Sequence, residues 1–180
     1  MGKTHAICSG KTAFEQKLAL WKYDGIVRKA ILALKYRFAS DVAEELACVV
    51  SNELKNLAML PARASLVPVP LHTKREKWRG FNQSAMLGQT ISKEMGWSFC
   101  DRLLVRVAHA IPQVKLDKKE RMQNIRGKFA VNTNTLRAYR DENTILFDDV
   151  WTTGATMNEA AWVLNKAGIR SISGLAIAAT

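Results

Sequence analysis

The apolar positions of the chain fall into two periods. Helical spacing runs through Val27, Ala30, Ile31, Leu34 and Phe38, then through Ala43, Leu46, Ala47, Val50, Leu54 and Leu57, so two helices are predicted ahead of the first strand. Ser65 to Pro70 reads SLVPVP, a short buried strand that ends at a proline. A basic loop follows, then a helix with Leu87, Ile91 and Met95 stacked four residues apart and Gly96 as its C-terminal cap. Leu103 to Val107 and Phe129 to Val131 read as short strands around a second polar stretch. Ile145 to Val150 predicts a buried strand. Met157, Ala160, Ala161 and Leu164 predict a helix closed by Gly168, and Ile172 to Ile177 a last strand. Strands alternating with helices predict an α/β domain with a mainly parallel sheet.

Charge changes the reading of the two polar stretches. Among 180 residues, Lys and Arg outnumber Asp and Glu by 27 to 16, a net charge of +11. KREKWR at 74 to 79 carries four basic residues and one acidic, and Lys115 to Lys128 carries six and two, so these windows hold +7 of the surplus. Phosphate-rich small molecules and nucleic acids both fit such a surplus. Cys8, Cys48 and Cys100 are far apart and form no C-x-x-C pair, which argues against a disulfide framework or a zinc site and for free thiols. His5, His72 and His109 have no spacing suited to metal ligation. The opening residues lack an apolar core of signal-peptide length and no run of about 18 apolar residues occurs, so the expectation is a cytoplasmic protein without a membrane span.

The most informative stretch is ILFDDVWTTGAT, residues 145 to 156. Asp148 and Asp149 emerge at the carboxyl end of a predicted strand, where open α/β sheets bind ligands. Thr152, Thr153, Gly154, Ala155 and Thr156 form the approach to a helix, where free N–H groups and the positive end of the helix dipole favour a phosphate. Carboxylates for sugar hydroxyls beside a cradle for phosphate suit a phosphorylated ribose. The plainer alternative makes the acids helix-approach carboxylates and Thr152 an N-cap. Trp151 reads as a packing residue. Two other motifs fail: dehalogenase-type phosphatases need acids two apart, and CSGKT at residues 8 to 12 has His5 where a P-loop requires glycine and no strand before it.

ILFDDVWTTGAT resembles the phosphoribosyl-pyrophosphate loop of type I phosphoribosyltransferases. LVPVPLHTKREKWRGFNQSAMLG, KLDKKERMQNIRGKFAV and YDGIVRKAILALKYRF resemble segments of the ComF family, the competence-associated branch of that fold, and the four stretches occur in order from about Phe14 onward. Of the cysteine-rich zinc module that many family members carry at the amino terminus, at most Cys8 stands here. The resemblance implies a type I phosphoribosyltransferase-like fold, with residues 1 to 64 as a helical hood and 65 to 180 as the core. It makes Asp148 and Asp149 the catalytic acids that hold the ribose hydroxyls, and Thr152 to Thr156 the 5-phosphate loop. Pro70 and Leu71, with Lys74, Arg75 and Arg79, take the pyrophosphate. Lys115, Lys118, Lys119, Arg121 and Arg126 sit on a mobile loop spanning residues 109 to 128, for which an ordinary amphipathic surface helix is the competing reading. The implied cofactor is Mg2+, its protein ligands unassigned, with Asp148 and Asp149 as candidates through water.

The implied reaction is displacement of pyrophosphate from phosphoribosyl pyrophosphate by an acceptor that the sequence does not name. A second class stays open: a DNA-uptake or DNA-utilisation protein that binds single-stranded DNA, a helicase or other competence proteins, with the sugar-phosphate site regulatory or vestigial. Against it, no basic stripe interleaved with aromatics marks a single-strand platform. A homodimer is a third kind of partnership left open.

Overall fold

In a computed structural model, residues 13–34, 39–107 and 127–180 are described. The elements are β1 (Gln16–Lys22), α1 (Gly25–Ala33), α2 (Ala39–Leu57), β2 (Ser65–Pro68), α3 (Thr73–Arg79), α4 (Gln83–Met95), β3 (Ser98–Phe99), β4 (Leu104–Arg106), β5 (Phe129–Val131), α5 (Thr133–Tyr139), β6 (Thr144–Trp151), α6 (Ala155–Lys166) and β7 (Ile172–Ala179). Five strands form one sheet in the order β1-β7-β6-β2-β3, and every pair in it is parallel. β4 and β5 form a separate antiparallel ribbon. The predicted α/β class, a mainly parallel sheet flanked by helices, is what the chain adopts, and it is consistent with a type I phosphoribosyltransferase-like fold.

The sheet is covered on both faces, and the strand sequences show why. Ile145 and Phe147, Leu66, Leu175 and Ile177 join one core with Ile31, Ala47, Val50, Leu87 and Ile91 from α1, α2 and α4. Leu146, Val67 and Ala176 point the other way, into a core with Leu104, Phe129, Leu136, Met157, Ala161 and Leu164. Period-two side chains thus serve two apolar faces, and near-continuous apolar strands are the result. At Gly88 of α4 an added Cβ would stand 2.7 Å from Leu66 Cδ2, so glycine permits that helix to lie close on the sheet.

Two expectations are corrected. The first strand does not follow two helices: β1 precedes them and pairs in parallel with β7, Leu18 opposite Leu175. The segment before Ser65 therefore contributes a strand as well as α1 and α2. The polar stretch at 74 to 79 is helix α3 and not a loop. Gly96 caps α4 as expected, in left-handed conformation with φ 68°. No helix among the described residues is long and apolar enough to cross a membrane. Cys48 and Cys100 are free thiols.

Candidate functional site

In parallel sheets the strand ends share a direction, so β2 and β6 deliver their following loops to one edge of the sheet. β6 carries Asp148 and Asp149 in its last turn of pleat, and β2 runs into Val69, Pro70 and Leu71. The Val69 amide still donates to the Phe147 carbonyl at 2.8 Å, which ties the loop after β2 to the residue before the acids. Asp148 is half-buried and Asp149 is 7% exposed. Asp148 Oδ1 accepts from Ser84 Oγ at 2.9 Å and from the Asp149 amide at 2.9 Å. Asp149 Oδ1 accepts from the Val150 amide at 3.0 Å and its Oδ2 from Gln83 Nε2 at 3.4 Å. Burial first, and then the neighbouring Asp149 carboxylate, push Asp148 well above the usual carboxylate range, against the pull of the Ser84 hydroxyl and the Asp149 amide. The repulsion that Asp149 exerts on Asp148 would be relieved by an added hydrogen-bond donor or positive charge.

After Trp151 the chain turns at exposed Thr152 and Thr153 and starts α6 at Ala155. Gly154 is the N-cap and is left-handed, φ 74°, with no side-chain cap. An added Cβ there would lie 2.4 Å from Trp151 Nε1, and one at Gly174 would lie 2.8 Å from Trp151 Cζ3. The indole is thus held between two glycines, 6% exposed, with its ring 5.5 Å from Phe14. Trp151 is a packing residue, as expected, and it fixes the floor of the Thr152 to Thr156 turn. The Thr153 hydroxyl accepts from the Ala155 amide at a long 3.4 Å. The remaining first-turn N–H groups of a helix have no intrahelical acceptor, which makes the turn suitable for an anion. Gly154 and not Thr152 is the cap, so the plainer N-cap reading of Thr152 fails.

Of the predicted pyrophosphate residues, Pro70 and Leu71 lie in the loop after β2 and Arg79 ends α3. Lys74 and Arg75 are on α3, but only their backbone is described. Arg79 is half-buried. Its Nη1 donates to Gln83 Oε1 at 2.9 Å, while its buried Nε has no hydrogen-bond partner among the described residues. Lys115, Lys118, Lys119, Arg121 and Arg126, the predicted mobile-loop cations, lie outside the described residues.

The β4–β5 ribbon adds cations that the sequence reading did not single out. Arg106 Nη1 donates to the Pro70 carbonyl at 3.5 Å and its guanidinium sits 5.3 Å from the Phe129 ring centre. Lys128 stands beside it: burial, then the Arg106 charge, lower Lys128 below the ordinary lysine range. Gln83 and Ser84 were missed as well, since a helix start offers no sign in sequence that it will meet residues more than 60 positions away. Among the described residues no cluster of three His, Cys, Asp or Glu side chains is arranged to hold a metal. Two carboxylates supply hard oxygen donors, too few for a protein cage but compatible with magnesium held chiefly by ligand oxygens and water. A separate concavity of about 700 Å3 lies at the opposite end of the sheet, lined in part by Arg140, Asp141, Glu142, Lys166 and Arg170, and is remote from this chemistry.

No family model matches the chain. It is similar to competence protein F of Haemophilus influenzae, 35% identical over 123 residues, which is 67% of this chain and 52% of that protein. It is similar to DNA utilization protein YhgH of Salmonella typhi, 29% identical over 142 residues, 77% of this chain and 61% of the relative. Competence protein ComFC of Bacillus subtilis is 26% identical over 153 residues, 85% of this chain and 59% of its own length. The chain thus spans little more than half the length of these curated relatives.

Proposed function

The chain belongs to the ComF family, with competence protein F and ComFC, and on that premise we propose that it binds phosphoribosyl pyrophosphate with magnesium and transfers the phosphoribosyl group to an acceptor nucleophile. The observation that carries this reading is the conjunction, on one strand-turn-helix, of half-buried Asp148 and buried Asp149 with the Gly154-capped start of α6. The ribose hydroxyls donate to the two carboxylates, and the 5-phosphate accepts from the amides and hydroxyls of Thr152 to Thr156. Arg79, with Arg106 and Lys128 from the ribbon, faces the departing pyrophosphate from the loop side of Pro70. As the bond from C1 to the leaving oxygen breaks, its electron pair goes to pyrophosphate and positive charge builds on the sugar. The acceptor's lone pair then forms the new bond to C1. The acid pair, costly while empty, stabilises that positive charge in a setting of low dielectric. Magnesium would be held beside Asp148 and Asp149 and would neutralise pyrophosphate charge.

Titration calorimetry of phosphoribosyl pyrophosphate with magnesium tests the reading. The folded double variant Asp148→Asn, Asp149→Asn is expected to bind at least about tenfold more weakly (~1.4 kcal/mol). Equal affinity would remove the acids from the site, and a wild-type chain that binds nothing would remove the ligand.

One observation favours a second reading, a role in competence or DNA utilisation through single-stranded DNA. Trp78 is 70% exposed on α3, next to exposed Lys77, and offers one stacking face among basic residues. Fluorescence anisotropy at several salt concentrations separates the two. Weak DNA binding that phosphoribosyl pyrophosphate displaces is the expected result, with each neutralised phosphate contributing roughly 0.7 to the slope of log affinity against log salt. Tight binding that persists with the small ligand bound and is lost in Trp78→Ala would make DNA the partner of a separate surface.

A further inference from the structure

The first turn of α4 is polar where a core-facing helix start has no need to be. Gln83 and Ser84 are 3% and 1% exposed, and Asn82 before them is half-buried. Each reaches a different loop. Asn82 Nδ2 donates to the Val69 carbonyl at 3.1 Å while its Oδ1 accepts from the Ser84 amide at 3.1 Å. Ser84 Oγ donates to Asp148 at 2.9 Å. Gln83 is bonded at both ends: its Oε1 accepts from Arg79 Nη1 at 2.9 Å and its Nε2 donates to Asp149 Oδ2 at 3.4 Å. The partners fix the orientation of the amide, because a flip would set N–H against guanidinium N–H and carbonyl oxygen against carboxylate. A buried amide without such partners is costly, whereas an apolar side chain of similar volume would fill the space at no polar penalty. Its two bonds are therefore the reason for glutamine at this position.

We propose that Gln83 is a positioning residue that holds Arg79 and Asp149 in one register, so that an anion engaging Arg79 is felt at the acid pair. The register stands on the geometry alone. Its assignment to a leaving-group half and a sugar half rests on the phosphoribosyl pyrophosphate reading. The amide carries no charge, so what it transmits is orientation: any shift of the guanidinium toward a ligand moves the amide, and with it the donor to Asp149.

Two measurements on the full chain test this, one without ligand and one with it. In thermal unfolding, Arg79→Ala and Asp149→Asn should be non-additive by about 2–4 °C, as for residues in one hydrogen-bonded network, and additive once Gln83→Leu is present. If Gln83→Leu fails to fold, Gln83→Asn keeps the amide but is too short to span both partners and gives the same readout. In titrations with magnesium, pyrophosphate and ribose 5-phosphate serve as separate probes. Arg79→Ala should weaken ribose 5-phosphate about threefold or more as well as pyrophosphate, and the effect on ribose 5-phosphate should vanish in Gln83→Leu. Additive melting temperatures in both backgrounds overturn the register. Loss of pyrophosphate affinity with ribose 5-phosphate untouched overturns the coupling. Non-additive melting in a chain that binds neither probe upholds the register and rejects the phosphoribosyl reading.

Discussion

Replacing Gly154 with alanine tests the turn that joins the acids to α6. Gly154 has φ 74°, and the left-handed region costs a residue with a Cβ about 1–2 kcal/mol. The new methyl would also stand 2.4 Å from Trp151 Nε1 and 3.3 Å from Asn158 Nδ2. The indole has little room to retreat, because Phe14 lies against it and Gly174 closes its far edge. Overpacking of this kind costs about 1–3 kcal/mol. Alanine stiffens the unfolded chain and offsets about 0.4–1 kcal/mol of the total. The sum, about 2–4 kcal/mol, corresponds to a fall in melting temperature of about 5–15 °C for a chain of this size. Gly80 is the internal control: its φ is 82° and nothing lies within 4 Å of an added Cβ, so Gly80→Ala bears the backbone cost alone. Differential scanning calorimetry of the two variants separates the steric cost from the conformational one. Melting temperatures within about 2 °C of each other would refute the claim that Trp151 fixes this turn.

Two further outcomes concern titrating groups. Asp148 has its folded-state pKa raised by burial and by Asp149, so its stabilising contribution is present below the ordinary carboxylate pKa and is lost as pH rises through the folded value. Asp148→Asn is therefore expected to melt higher than wild type at pH 8 and to lose that advantage near pH 3. A gain that is independent of pH would contradict the sign. Lys128, lowered by burial and Arg106, is expected to strengthen pyrophosphate binding only while protonated. Lys128→Met should weaken it about threefold, the worth of a partly exposed ion pair, and wild-type affinity should decline at a pH below that at which an ordinary lysine deprotonates. Calorimetry across pH checks both.

The parts of the fold that could be read from sequence are those with long, uninterrupted periods. β6 and α6 are of this kind, since ILF is followed by apolar residues at helical spacing, and Asp148 to Thr156 could be placed at a strand end from those flanks alone. β1 was missed because it lies at the sheet edge. QKLALWK buries only Leu18 fully, and its polar ends and half-buried middle give neither period clearly. TKREKWR in α3 has no apolar stripe to announce a helix. The acids were legible because adjacent carboxylates before a hydroxyl-rich turn are unusual in one short stretch. Their supports were not: Gln83, Ser84 and Arg106 meet Asp149, Asp148 and Pro70 only through packing between elements far apart in the chain.

The pairing of β1 with β7 has a consequence for how the chain reaches this state. Gln16 is opposite Ser173 and Lys22 opposite Ala179, so the first strand waits for a neighbour more than 150 residues later. β6 also takes β7 as one of its two neighbours. During synthesis β1 therefore emerges long before the strand it pairs with, and closure of the sheet is a late, non-local event. Such topologies fold slowly and leave strand edges open to other chains in the interval. A ribosome stalled before β7 would hold a chain in which Asp148 and Asp149 exist but the strand that aligns them has no outer neighbour. The turn at residues 152 to 156 therefore takes its final place only once β7 has joined β6.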